Sequence, residues 1–379
     1  MKKIVAVLLS LCLLCSCSYK QSRQTKTEKE DFVGIWITYS ELNRAAANDF
    51  KAAFVEMADN CASLFATDLF VHIRAMCDSV YPSDFFPLVG WAEKLDFDPL
   101  EFMLETCHQR GIRLHAWINP YRISSSKNSL DDLPENSPAH LLSDSIGNTD
   151  KGLYFDPSSA SAQKLVIDSV REILSRYDVD GIHFDDYFYP TDNINFDQHS
   201  YSAYCAKTLN PLSLEDWRRT NVNSLITGVS SAIKASKRNA MFTVSPAANI
   251  QNNENSLFAD VDYWCSSGLL DAVIPQLYFG FNYPDKRFAF NNLLEEWIDY
   301  IGDSDVKLYI GLAPYKLNID SKADKQEWAG GTNIVAQQIE LIKNNPATHG
   351  VVLFSYSYLF SPDKSLTEQK ENIKTILNK

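Results

Sequence analysis

The chain has 379 residues and a formal net charge of −13 at pH 7, which disfavours nucleic acid or any other polyanion as substrate, because phosphate binding needs clustered Lys and Arg. A neutral polymer such as a glycan suits this charge better. The 18 Tyr, 21 Phe and 7 Trp fit sugar stacking and core packing equally well, so composition alone does not choose between them.

The N-terminus reads as an export signal. Lys2 and Lys3 precede an apolar run from Ile4 to Leu14 that only Ser10 interrupts. That run is too short to span a bilayer and reads as the apolar region of a signal peptide. It ends in Leu14-Cys15-Ser16-Cys17, which resembles the bacterial lipobox and implies cleavage before Cys17, acylation of that thiol and attachment to a membrane. An ordinary secretory signal, leaving a soluble periplasmic protein, is the alternative. The polar stretch to Asp31 reads as a flexible tether. The expected organisation is a signal peptide over 1–16, a tether over 17–31 and one domain over 32–379, sited in the bacterial cell envelope on the periplasmic or outer face of an outer membrane.

From Phe32 onward, short apolar runs rich in β-branched residues alternate with longer amphipathic ones. The strand candidates, in chain order, are Val33–Thr38, Leu69–Arg74, Arg113–Asn119, Gly181–Asp186, Met241–Pro246, Ala272–Tyr278, Lys307–Leu312 and Val351–Tyr356. Between them, Pro99–Arg110 carries Leu100, Met103, Leu104 and Cys107 at helical spacing and stops at Gly111. Ala162–Arg176, Val335–Lys343 and Glu368–Leu377 behave likewise. Alternation of strand and helix implies a parallel sheet, and eight units predict closure into a single-domain (β/α)8 (TIM) barrel; a doubly wound open sheet is the alternative. Cys61, Cys77, Cys107, Cys205 and Cys265 form an odd set without a CxxC pair, which reads as free thiols. No HExxH, Walker A or Gly-rich dinucleotide loop is present, so neither a metal nor a cofactor is expected.

In such a barrel the chemistry sits where strands end, and a period of two shows which side chains point inward. His115, Trp117 and Asn119 share one face of strand three, opposite Leu114, Ala116 and Ile118. Barrel interiors without a site prefer Val, Ile and Leu, so this polar set favours a site over satisfied core polars. His72 and Arg74 share a face of strand two, with Asp78 following; Arg74 could orient a carboxylate or form a structural salt bridge. Strand four gives the strongest signal, Asp180-Gly-Ile-His183-Phe-Asp185-Asp186-Tyr187-Phe-Tyr189-Pro190. His183 and Asp185 face in, and Asp186 opens the loop. Two adjacent carboxylates among Tyr187 and Tyr189 crowd each other, which raises one pKa and supplies the general acid that glycoside cleavage needs; a calcium site or a capping pair is the alternative. Gln276 and Tyr278 end strand six, Ser245 and Asn249 follow strand five, and Pro314-Tyr315 and Ser355-Tyr356 follow strands seven and eight. No Asp or Glu ends strand seven.

These runs resemble the glycosyl hydrolase-like 10 family of bacterial lipoproteins. The likeness rests on Gly34-Ile35-Trp36, on Arg74 with Tyr81-Pro82-Ser83, and on His115-Ala-Trp117-Ile-Asn119-Pro120-Tyr121-Arg122. It continues through the strand-four run to Gly350-Val351 and Phe354-Ser355-Tyr356, over almost the whole mature chain. The resemblance implies a (β/α)8 barrel and cleavage of peptidoglycan glycan strands stripped of their stem peptides. The family's Arg-Pro-x-Gly-Asp stands here as Arg74-Ala75-Met76-Cys77-Asp78: Asp78 is kept, but the loop shape changes.

The expectation is therefore a glycoside hydrolase acting on an amino-sugar polymer. Asp185 or Asp186 would protonate the leaving oxygen, and the other or Asp78 would activate water or attack. Arg74, His115, Asn119, His183 and Gln276 would orient groups, and Trp117, Tyr121, Tyr187, Tyr278 and Tyr315 would bind sugar rings. A non-catalytic glycan-binding lipoprotein is the rival reading. A metal-dependent deacetylase is a third, and would require His72, His115 and His183 to meet inside the barrel.

Overall fold

The structure is a computed structural model that describes residues 32–125, 129–236, 239–317, 325–328, 333–363 and 366–379. The signal peptide, the tether and Cys17 lie outside the described residues. Residues from Asp31 to Lys379 form one compact unit.

Eight parallel strands close into a barrel in chain order: Phe32–Ile37, Asp68–Arg74, Arg113–Ile118, Gly181–Phe184, Met241–Val244, Ala272–Val273, Lys307–Leu312 and Gly350–Leu353, the last pairing with the first. All eight expected strands are present. Strands four, five, six and eight end two to five residues earlier than the apolar runs suggest, because their last residues splay into the loops that build the rim. Helices cover the outside. The helix Pro99–His108 starts where Asp98 accepts from the backbone N–H groups of Leu100 and Glu101, with Pro99 pre-set at its first position. It is followed by Gly111 at φ +69°. The helix Ala160–Arg176 begins at Ser159, whose hydroxyl accepts from Ala162 N. A two-stranded hairpin, Ile146–Thr149 with Gly152–Phe155, sits in the loop after strand three and was not legible as strands. Cys61, Cys77, Cys107, Cys205 and Cys265 are free thiols.

The barrel is filled in levels. Near its entry mouth the rings of Phe32 and Tyr309 stack at 3.7 Å. There His115 Nε2–H donates to Asp68 Oδ1 (2.7 Å), beside the Arg113 guanidinium. Burial alone would push the Asp68 carboxyl up, but its bonds to His115, Arg113 and Thr67 hold it below the ordinary value. Gly181 is obligatory at this level, since a Cβ there would collide with His115 Nδ1. One level up, Phe70 lies between His115 and His183, with ring centroids 4.6 and 4.7 Å away. His183 Nε2 accepts from Trp36 Nε1 (3.1 Å), which leaves the proton on Nδ1 to donate to Thr243 Oγ1 (2.8 Å). Trp117 and His72 form the top level, stacked at 3.7 Å and 9°.

Candidate active site

The three histidines of the deacetylase alternative thus occupy three levels, separated by aromatic rings. They do not converge.

Above the top level, at the C-terminal mouth, a cavity of about 360 Å³ opens between the loops. Its walls are Trp36, Thr38 and Tyr39 from strand one, His72 from strand two, Trp117 and Arg122 from strand three, and Asp185, Asp186 and Tyr187 from strand four. Ser245, Gln276, Tyr278, Tyr315 and Phe354 complete it. The alternation of strand three delivers two donors to one oxygen: Trp117 Nε1 and Asn119 Nδ2 donate to Asp185 Oδ2 at 3.1 and 3.2 Å. The Tyr187 backbone N–H donates to Asp185 Oδ1 at 3.3 Å. Asn119 Oδ1 in turn accepts from Arg122 N, and the Arg122 guanidinium lies over the Tyr187 ring at 4.2 Å.

These contacts set the electrostatics. Burial pushes the Asp185 carboxyl up to about 7, and the adjacent Asp186 charge adds to the rise. The Arg122 charge and the Tyr187 and Trp117 hydrogen bonds limit it. Asp186 is only half-buried. Its carboxyl is also raised by desolvation, but Gln276 hydrogen-bonds to it, and Arg122 and Lys151 favour its charge. Asp185 is thereby poised to hold a proton near neutrality. Burial, reinforced by the Arg122 charge, keeps His72 well below its ordinary value and therefore uncharged.

The remaining expected site residues separate into three groups. Trp117, Asn119, Tyr187, Gln276, Tyr278 and Tyr315 reach the cavity or its carboxylates. His183 sits beneath it and fixes Trp36 and, through a 3.3 Å contact, Ser245. Arg74, His115, Tyr121 and Asp78 do not reach it. A register shift between His72 and Arg74 places Arg74 opposite the outward-facing Ile118. A bulge of this kind inverts the period-two parity, and Arg74 instead reaches Ser169 of the helix layer at 2.9 Å and lies over the Phe86 ring. His115 does face inward but at the opposite mouth. Tyr121 is fully buried in the outer core. Tyr189 also leaves the site and packs edge-on against Phe196 and Phe258. Asp78 lines a separate, neighbouring cavity, so the partner-carboxylate role expected of it does not follow from its position.

A model of the family described as glycosyl hydrolase-like 10 matches residues 31–330. The chain belongs to the glycosyl hydrolase-like 10 family. Two relatives extend the match beyond that span. Glycosyl hydrolase DigH of Escherichia coli (strain K12) is 30% identical over 419 residues, covering 94% of this chain and 93% of DigH. Glycosyl hydrolase YngK of Bacillus subtilis (strain 168) is 29% identical over 390 residues, covering 91% and 73%. Among solved structures, the glycoside hydrolase domain of PgaB (BpsB) from Bordetella bronchiseptica superposes with a TM-score of 0.57 at 10% identity, over 92% of this chain and 99% of that one. The catalytic domain of β-amylase from Paenibacillus polymyxa gives 0.60 at 10% identity over 92% and 98%. At such identities these likenesses show the barrel fold alone.

In this glycosyl hydrolase-like 10 barrel, sequence reasoning passed over Trp36, Thr38, Tyr39 and Arg122 as site residues. Trp36 was accessible in principle, since it has the inward parity of strand one. Thr38 and Tyr39 are held at the rim by buried Glu41, which accepts from Thr38 N (2.6 Å) and, through its other oxygen, from Ser355 Oγ (2.8 Å) and Ser357 N (2.6 Å). That clasp joins the first and last barrel loops. Arg122 depends on the hairpin, to which it is bridged at Tyr154; without that hairpin its direction had no signal.

Proposed function

We propose that this chain cleaves glycosidic bonds within the strands of an amino-sugar polymer, peptidoglycan in particular, with Asp185 as general acid and Asp186 as the ionised carboxylate beside it. The observation that carries this reading is the Asp185 carboxyl: buried, held by three N–H donors, raised to about 7 and facing an aromatic-walled cavity next to a second carboxylate. A carboxylic acid poised near the working pH is what protonation of a leaving glycosidic oxygen requires. Trp117 and Asn119 orient it. Tyr187, Tyr278 and Tyr315 offer ring faces and edges suited to a sugar, and Arg122 supports negative charge at Asp185. Family membership and the two glycosyl hydrolase relatives support the reaction class; the peptidoglycan substrate rests on the sequence resemblance.

The deciding experiment incubates the protein with purified peptidoglycan glycan strands, with and without stem peptides, and follows new reducing ends and product masses. Cleavage of peptide-free strands is expected. Tight binding without any new reducing end would instead favour the glycan-binding reading.

The same proposal places the enzyme in the bacterial cell envelope, anchored through an acylated Cys17. Its support is the Lys2-Lys3 start, the apolar run and the Leu14-Cys15-Ser16-Cys17 ending. Cys17→Ala should release the protein from membranes; unchanged membrane fractionation, with no acyl mass on the wild-type N-terminus, would overturn the anchor.

A further inference from the structure

Beside the main cavity lies a second one of about 210 Å³. Tyr39 and His72 belong to the walls of both. Beyond them the second cavity is bounded by Trp91, Met76 and Asp78. Trp91 is fixed: its indole N–H donates to Asn43 Oδ1 at 2.8 Å, and its ring stacks on Phe50 at 5.1 Å and 21°. It is half-buried, so ring surface remains for a ligand.

The shared wall carries an unpaid polar group. His72 is 3% exposed, and neither of its ring nitrogens has a hydrogen-bond partner. One face of its ring stacks on Trp117 at 3.7 Å, and the Tyr39 ring lies nearly perpendicular to it at 5.7 Å. A buried polar group without a partner is destabilising and points to a ligand that completes it. Being uncharged, this imidazole offers one donor and one acceptor, the complement of a sugar hydroxyl or an acetamido group. A metal-binding role is not indicated, because no group of three or more metal-ligating side chains occurs among the described residues.

We infer that the second cavity is a sugar subsite adjoining the cleavage site: the neighbouring unit of the bound strand stacks on Trp91, and a hydroxyl or acetamido group at the junction meets His72. This inference rests on the reading of the main cavity as a glycan site. It explains why the two cavities share a wall bearing an unsatisfied group, and it gives Asp78 a place on the substrate path away from the bond that breaks.

The test uses peptide-free peptidoglycan oligosaccharides of increasing length. Their binding to Asp185→Asn is measured by calorimetry, and their cleavage is measured with the otherwise unaltered enzyme. Affinity should rise in a step at the length that first fills the second cavity. Trp91→Ala, which removes the ring, and Met76→Trp, which fills the cavity and leaves the Trp91–Phe50 stack in place, should each abolish that step. The expected loss is about tenfold in affinity for the longer oligosaccharides, with a smaller change for the shorter ones. A length profile unaltered by both variants, in folded protein, overturns the subsite even if cleavage proceeds. A Trp91- and Met76-sensitive step without cleavage upholds the subsite and overturns the catalytic reading. Absence of both binding and cleavage overturns both.

Discussion

The Trp117 indole joins two functions in one ring: its N–H donates to Asp185 Oδ2 at 3.1 Å while its face stacks on His72 at 3.7 Å. It is also part of the inner barrel core, 7% exposed. Truncation to Ala would therefore confuse roles, since losing so large a buried ring costs about 3–5 kcal/mol of stability. Trp117→Phe separates them, because it keeps the stack and removes the donor. A hydrogen bond to an uncharged group contributes about 0.5–1.5 kcal/mol, so turnover should fall about two- to tenfold with a small change in melting temperature. Wild-type kcat in Trp117→Phe would show that the N–H does not orient the acid.

How far the sequence reached can be seen on strands three and two. On strand three the alternation placed Trp117 and Asn119 inward, and both meet Asp185. Parity gives the face but not the height, so His115, two residues before Trp117, shares that face yet sits at the opposite mouth with Asp68. On strand two a single extra residue inverted the pattern after His72, and Arg74 turned outward. Past the strand ends no period applies. Tyr121 and Tyr189 therefore turned into the core, while Tyr187 reached the cavity. Arg122 depends on a hairpin whose short strands, Ile146–Thr149 and Gly152–Phe155, lack a long apolar alternation.

The outward turn of Arg74 yields a test of its own. Its guanidinium is buried against Ser169 and Phe86 rather than in the cavity, with two of its nitrogens lacking hydrogen-bond partners. The buried Glu172 and the nearby Asp78 are among its electrostatic partners, and removing one member of a buried charge pair costs about 3–5 kcal/mol. Arg74→Met should thus leave KM unchanged while lowering thermal stability. A marked rise in KM with unchanged stability would return Arg74 to the substrate.

Arg122 should tune the acid from a distance. Its charge lowers the Asp185 carboxyl against the larger effect of burial. If Asp185 must carry the proton, kcat should decline as pH rises through about 7. Arg122→Met removes the positive charge, so the alkaline limb should move to higher pH, whatever happens to KM. A limb that stays in place, or moves downward, would show that another group controls it.

Asp185→Asn closes the argument by linking activity to stability. Loss of a general acid should reduce turnover about 10²–10⁴-fold. The same carboxyl affects folding. Its value in the folded protein, about 7, lies above the ordinary 3.8, so the folded state binds this proton more tightly than the unfolded chain. The stabilisation from that proton is fully present below about 4 and is lost as pH rises through 7. Asn cannot ionise, its side-chain oxygen can still accept from Trp117 and Asn119, and Asp186 loses a like-charged neighbour. The melting temperature of Asp185→Asn, relative to the unaltered protein, should therefore increase steadily between pH 4 and pH 8. Paired thermal melts across that range measure it directly. A difference that is flat with pH would mean that Asp185 is already ionised in the folded protein at low pH, and its assignment as the acid would fall, leaving Asp186 to be tested in the same way.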